Sequence, residues 1–139
     1  MDFPQERIEE IFSLFSGCAS SEEKVHRVID LGRALPSFPD EWKIEENIVP
    51  GCQSIVYLHS TVEKDKIFFH AHSEALISAG LAALLLRAYN SVSPEVILKC
   101  KPSFLEELGI YASLTPGRSN GLSSMILTMQ KHALNILIS

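Results

Sequence analysis

Few residues in this chain could do chemistry. Its three thiols are Cys18, Cys52 and Cys100, and His59, His70 and His72 lie close together in the sequence. The cysteine count is odd, the gaps are long, and no CxxC or CxH pair occurs. That pattern suggests neither a disulfide framework nor a zinc site, and three free thiols are expected. Free cysteines commonly serve as small buried hydrophobes. Cys18, in a turn between helices, and Cys100, between two short helices, are read that way. Cys52 has another setting, "NIVPGCQSIVYLHS". Gly51 frees the backbone and Pro50 fixes the approach. Gln53 and Ser54 place polar groups beside the sulfur. A thiol at a loop tip can be presented to another molecule, and nucleophilic chemistry needs an accessible thiolate. On these residues alone, Cys52 stands between packing and chemistry.

A Cys–His pair would suggest a thiol hydrolase with histidine as general base. His59, however, falls on a strand, and nothing in the spacing sets it beside Cys52. His70 and His72 share a strand face and could supply two metal ligands, but no third is evident, so no metal is expected. "TPGRSNGLSSM", Thr115 to Met125, reads as a helix start. Arg118 would then sit at a helix N-terminus, where a cation is slightly unfavourable. That small cost raises a partner-facing or anion-facing role for it.

These residues need elements to hold them. Asp2 could cap a first helix with Pro4 in its first turn and Ile8, Ile11, Phe12 and Phe15 on one face. Ser20 to Glu23 reads as a capping box for a second helix, with Val25, Val28, Ile29 and Leu35 inward and Pro36 as its stop. "PSFPDEW" is expected to be loop, and Trp42 to Ile48 could add an edge strand. From Ser54 the period becomes two: Ile55, Tyr57 and His59 share one face, Val56 and Leu58 the other. "TVEKDK" is the turn into a second strand, "KIFFHAH", completing a hairpin. Ser73 can cap a buried helix from Ala75 to Tyr89. Pro94 and Pro102 open short helices, the second ending near Gly109. Thr115 and Pro116 open the last, with a stripe of Leu122, Met125, Ile126, Met129 and Ala133. This order predicts an α+β fold: a small antiparallel sheet of two or three strands, covered on one face by several helices in two layers, with residues 1–139 as a single domain.

The chain has 139 residues and a formal charge of −5. Without clustered Lys and Arg, nucleic acid or an anionic membrane surface is not the expected partner. The longest apolar stretch, Ala75 to Leu86, is too short to span a bilayer. "MDFPQERIEEIF" lacks a signal-peptide pattern and is too acidic for a transit peptide. A cytoplasmic location is expected, or one reached after a targeting segment is removed.

The segment "LGRALPSFPDEWKIEENIVPGCQSIVYL" is similar to the central signature of the SufE/CsdE family, sulfur-acceptor proteins that serve cysteine desulfurases in iron–sulfur cluster assembly. Its "LG..LP" helix end is Leu31-Gly32 with Leu35-Pro36, and its "V.GCQS.V" runs from Val49 to Val56. "HSEALISAGLAALLL" resembles the family's "DS.A...G..A" helix, and "LTPGRSNGLSSM" its "L.P.R.NGL..M" segment. The motifs occur in the family's order from Ile11 to His132. Two positions depart from the pattern: His72 stands where Asp is common, and Tyr57 where Trp is common.

The resemblance implies that Cys52 is the sulfur acceptor. A pyridoxal-phosphate desulfurase (SufS/CsdA-like) would hold sulfur as its own persulfide, and the Cys52 thiolate would take the outer sulfur by thiol-exchange chemistry. The chain would stimulate the desulfurase, bind no cofactor itself, and deliver sulfur to an iron–sulfur scaffold. It would act as a carrier rather than a complete enzyme. Gly51, Gln53 and Ser54 would form and position the loop. Arg118 would help dock the partner or favour the thiolate. The resemblance also implies that the free protein tucks Cys52 into an apolar cavity. With no histidine base, the thiol is expected to supply its own thiolate near neutral pH. Two other readings remain: a scaffold binding the cluster directly, which needs about three converging ligands, and a Cys52–histidine hydrolase.

Overall fold

The computed structural model describes residues 4–139. The expected cap at Asp2 lies outside them. Helix α1 (Gln5–Phe15) starts behind Pro4 and buries Ile8, Ile11 and Phe15, an i, i+3, i+7 stripe. Helix α2 (Ser21–Arg33) begins as its sequence asks: the Ser20 hydroxyl accepts the Glu23 N–H at 3.2 Å. It buries Val28 and Leu31, while Val25, Ile29 and Leu35 are only half-buried.

The edge strand expected over Trp42 to Ile48 does not form. Two 3₁₀ turns, Asp40–Trp42 and Glu45–Asn47, occupy that stretch. The N–H groups of Trp42, Lys43, Asn47 and Ile48 bond back to carbonyls three residues earlier, so they cannot serve a ladder. Only Ile48 keeps an isolated bridge, to Tyr57. The sheet is therefore the hairpin alone: β1 (Val56–Glu63) and β2 (Lys66–Ser73), antiparallel, with Val56 opposite Ser73 and Glu63 opposite Lys66. The turn is shorter than "TVEKDK" implied. Lys64 and Asp65 make it alone, with φ of 50° and 64°, the left-handed pair that suits the twist of a two-residue hairpin.

Val56, Leu58, Ile67, Phe69 and Ala71 form the buried face of the hairpin. Helix α3 (Leu76–Tyr89) packs on β2 and is buried almost all round, from Ala79 to Leu85 and at Ala88 and Tyr89. The Ser73 hydroxyl accepts the Ala75 N–H at 3.2 Å, just ahead of that helix. Helices α2 and α3 cross backbone to backbone. A Cβ on Gly32 would lie 2.6 Å from the Gly80 nitrogen, and one on Gly80 would fall inside the Val28 carbonyl. After α4 (Pro94–Lys99) and α5 (Phe104–Glu107), α6 (Pro116–Ile138) closes the core with Leu122, Met125, Met129 and Ala133. The hairpin's other face is not bare, as one-sided cover would have it. The loop after α2 lies on it, with Trp42 stacked on His59 at 4.1 Å and Phe38 on His72 at 5.8 Å. Among the described residues the architecture is six α-helices around a two-stranded antiparallel sheet, an α+β fold. No helix among them is long and apolar enough to cross a membrane.

Candidate functional site

Cys52 follows Gly51, whose φ of +84° lies in the left-handed region that side chains disfavour. The turn drops the thiol onto α6 instead of projecting it. The Cys52 thiol donates to the Gly121 carbonyl at 3.7 Å, and the residue is half-buried. Beside the sulfur is a cavity of about 20 Å³. Cys52, Gln53 and Ser54 line it from the loop, Ser78 and Leu81 from α3, and Gly117, Arg118, Gly121 and Met125 from α6. The thiol is stowed, where its loop setting alone suggested presentation and the resemblance implied a tucked side chain. The lining mixes Ser and Arg with Leu and Met, so the cavity is not simply apolar.

Burial also pushes the Cys52 thiol above the ordinary cysteine range. The thiolate fraction near neutral pH is therefore lowered while the sulfur is stowed. Arg118 lines the same cavity but makes no hydrogen bond to the sulfur, and burial alone accounts for the direction of the shift. The Thr115 hydroxyl caps α6 by accepting the Arg118 N–H at 3.4 Å. The Arg118 side chain is exposed and has no carboxylate partner among the described residues.

The other candidates lie elsewhere. His59 packs under Trp42, its Nδ1 3.3 Å from the Asn47 amide nitrogen, and His70 tilts against the same indole at 4.8 Å. Neither lines the cavity. Cys100 is buried at the end of α4, its carbonyl accepting the Tyr89 hydroxyl at 2.8 Å, and Cys18 follows α1. Among the described residues no three His, Cys, Asp or Glu side chains converge as metal ligands. A second, open depression of about 530 Å³ adjoins the site through Ser54, lined also by Lys43, Ile55, Tyr57, His72, Glu74 and Ala75. The two positions that depart from the family pattern thus sit side by side near the loop. Sequence reasoning missed Ser78, Leu81, Gly117, Gly121 and Met125 as neighbours of the sulfur. The spacing of Gly117 and Gly121, one helical turn apart, was the available signal.

The family model for SufE, described as an Fe-S metabolism associated domain, matches residues 9–133. The chain belongs to the SufE family. Among SufE relatives, it is 32% identical over 131 residues to SufE-like protein 1, chloroplastic/mitochondrial, of Arabidopsis thaliana, an alignment covering 94% of this chain and 35% of that protein. An uncharacterised SufE-like protein of Synechocystis is 32% identical over 127 residues, covering 91% of this chain and 80% of the other. The cysteine desulfuration protein SufE of Plasmodium falciparum is 33% identical over 137 residues, covering 94% and 55% respectively. This chain thus spans only part of the Arabidopsis and Plasmodium proteins. The solution structure of a hypothetical protein from Thermus thermophilus superposes with a TM-score of 0.78 at 26% identity, over all of both chains.

Proposed function

We propose that this SufE-family chain carries sulfur on Cys52, accepting it from a cysteine desulfurase and passing it toward iron–sulfur cluster assembly. The observation that supports this reading is the lone thiol on a glycine-turned loop beside a one-atom cavity. A space of about 20 Å³ exceeds the ~10–15 Å³ that a water requires, so one extra small atom fits beside Sγ.

The transfer balances as thiol exchange. Cys52 gives up its proton, and its thiolate attacks the outer sulfur of the desulfurase persulfide. The sulfur–sulfur bond of that persulfide breaks, and the desulfurase cysteine leaves as thiolate. The new sulfur–sulfur bond is on Cys52. No oxidant or reductant enters. Pyridoxal phosphate belongs to the desulfurase, and the exchange itself asks for no cofactor on this chain. The stowed thiol is a poor nucleophile because burial favours its protonated form. Reaction therefore follows presentation of the loop to the partner. Folding back would set the outer sulfur in the cavity, away from solvent thiols. Gly51 supplies the turn, Gln53 and Ser54 flank the sulfur, and exposed Arg118 offers the partner an unpaired cation at the cavity.

The test combines the protein, a cysteine desulfurase and free cysteine, and reads the added sulfur by peptide mass spectrometry. Sulfur is expected on the Cys52 peptide, with faster cysteine turnover than for the desulfurase alone. Uptake and stimulation that persist in Cys52→Ser sink the reading.

A further inference from the structure

Residues 50–54 are held loosely for a segment that carries the thiol. The pairing of Val49 with Val56, at 2.8 Å, closes the base of the loop, and the Ser73 hydroxyl donates to the Ile55 carbonyl at 2.9 Å. Between those anchors, among the described residues, the long bond from the Cys52 thiol is the only hydrogen bond. Contact with α6 does the rest, and it has a register. Gly51 faces Ser124, where an added Cβ would lie 2.9 Å from the hydroxyl oxygen. Cys52 faces Gly121, whose missing Cβ would lie 3.6 Å from Sγ. The Gln53 amide occupies the place of a Cβ on Gly117. Three consecutive loop residues thus meet positions i+7, i+4 and i of one helical stripe.

We propose, on the reading that Cys52 carries sulfur, that this stripe is a latch for the loop and that Gln53 is its positioning residue. With the Gln53 amide seated on Gly117, the thiol is stowed. With the amide displaced, the five-residue segment lifts between its two anchors and presents Cys52. The amide makes no hydrogen bond among the described residues, so seating it depends on the bare glycine surface. A partner that offers the amide a hydrogen bond gains free energy only with the lifted loop. Such a partner shifts the population toward the presented thiol.

Gly117→Ala is the direct perturbation. Its methyl group takes the space of the amide, the far end of a flexible side chain, and alanine is a better helix former than glycine. The isolated protein is treated with iodoacetamide, and modification is read at each cysteine by peptide mass spectrometry, with Cys100 as the internal reference. Cys52 is expected to react about fivefold faster, the factor that loss of one modest contact makes in a two-state equilibrium. Its pH–rate midpoint should fall toward the ordinary cysteine range. Among the described residues, Arg118 is the only other titratable group lining the cavity. Gln53→Ala should match Gly117→Ala, and the double variant should react no faster than either, because both remove one contact. Unchanged rates and midpoints, multiplying effects in the double variant, or equal acceleration at Cys100 would overturn the latch. Alkylation needs no desulfurase. Failure of the latch therefore appears in these rates, and failure of the sulfur-carrier reading in the separate sulfur-uptake assay.

Discussion

Replacing Gly80 by alanine tests how α3 is held against α2, and through α3 the wall of the Cys52 cavity that Ser78 and Leu81 supply. The added Cβ would fall inside contact distance of the Val28 carbonyl oxygen and 2.6 Å from the Val28 carbonyl carbon. These are backbone atoms of a packed helix, so no rotamer change makes room. The helices must separate by about an ångström along a seam where Val28 and Gly32 meet Ala79 and Gly80. Overpacking of this kind costs about 1–3 kcal/mol. A backbone obstacle belongs at the upper end, and the better helix propensity of alanine returns about 1 kcal/mol. Net destabilisation should be about 2 kcal/mol, lowering Tm by about 7 °C for a chain of this size. Urea unfolding followed by circular dichroism measures it, with an unchanged slope marking an unchanged unfolded state. Gly32→Ala meets the same seam from the other side, 2.6 Å from the Gly80 nitrogen. The double variant should cost less than both singles together, since one separation accommodates both methyl groups. A Gly80→Ala protein within about 0.5 kcal/mol of the parent would refute the seam, because that is the size of an ordinary surface substitution.

Two other outcomes follow from the same geometry. Gly51→Ala should cost about 1–2 kcal/mol for holding φ at +84°. Most of that strain should be released by loop lifting, so alkylation of Cys52 speeds up while Tm barely moves; a Tm loss without faster labelling contradicts this. Burial holds His59, His70 and His132 below their ordinary value of 6.5, with the charge of His59 acting further on the other two. The unfolded chain then binds more protons than the folded one below pH 6.5, so the stability these groups contribute is full above 6.5 and is lost as pH falls through the lowered values. The urea midpoint should drop between pH 7.5 and 5.5, and less so in His132→Gln; a flat or rising midpoint in the parent contradicts the sign.

Much was readable without coordinates because it depended on local chemistry. Ser20 with Glu23, Thr115 with Pro116, and the alternation of Val56 and Leu58 each specify an element through near neighbours. The ordered motifs around Cys52, Ser73 and Arg118 named the family for the same reason. The edge strand failed because Pro39 leads into one 3₁₀ turn and the Asn47 side-chain amide, donating to the Trp42 carbonyl at 2.8 Å, ties the second turn back to it. Trp42 and Phe38 find their rings on His59 and His72, well ahead in the chain, and no short window contains that pairing.

The sulfur's surroundings show the division most plainly. Sequence alone determined that Cys52 lies on a glycine-led loop before a hairpin, with an arginine-bearing helix start far downstream. The loop setting pointed to an accessible thiol, because a loop tip taken alone has nothing above it, and the resemblance implied a tucked one. Only the tertiary structure decided what the loop rests on. Gly117, Gly121 and Ser124 lie in one stripe on α6, and α3 brings Ser78 and Leu81 to the other side. A contact across such a distance in sequence depends on how helices pack, and packing is a property of the whole core. That packing stows the thiol and raises its pKa.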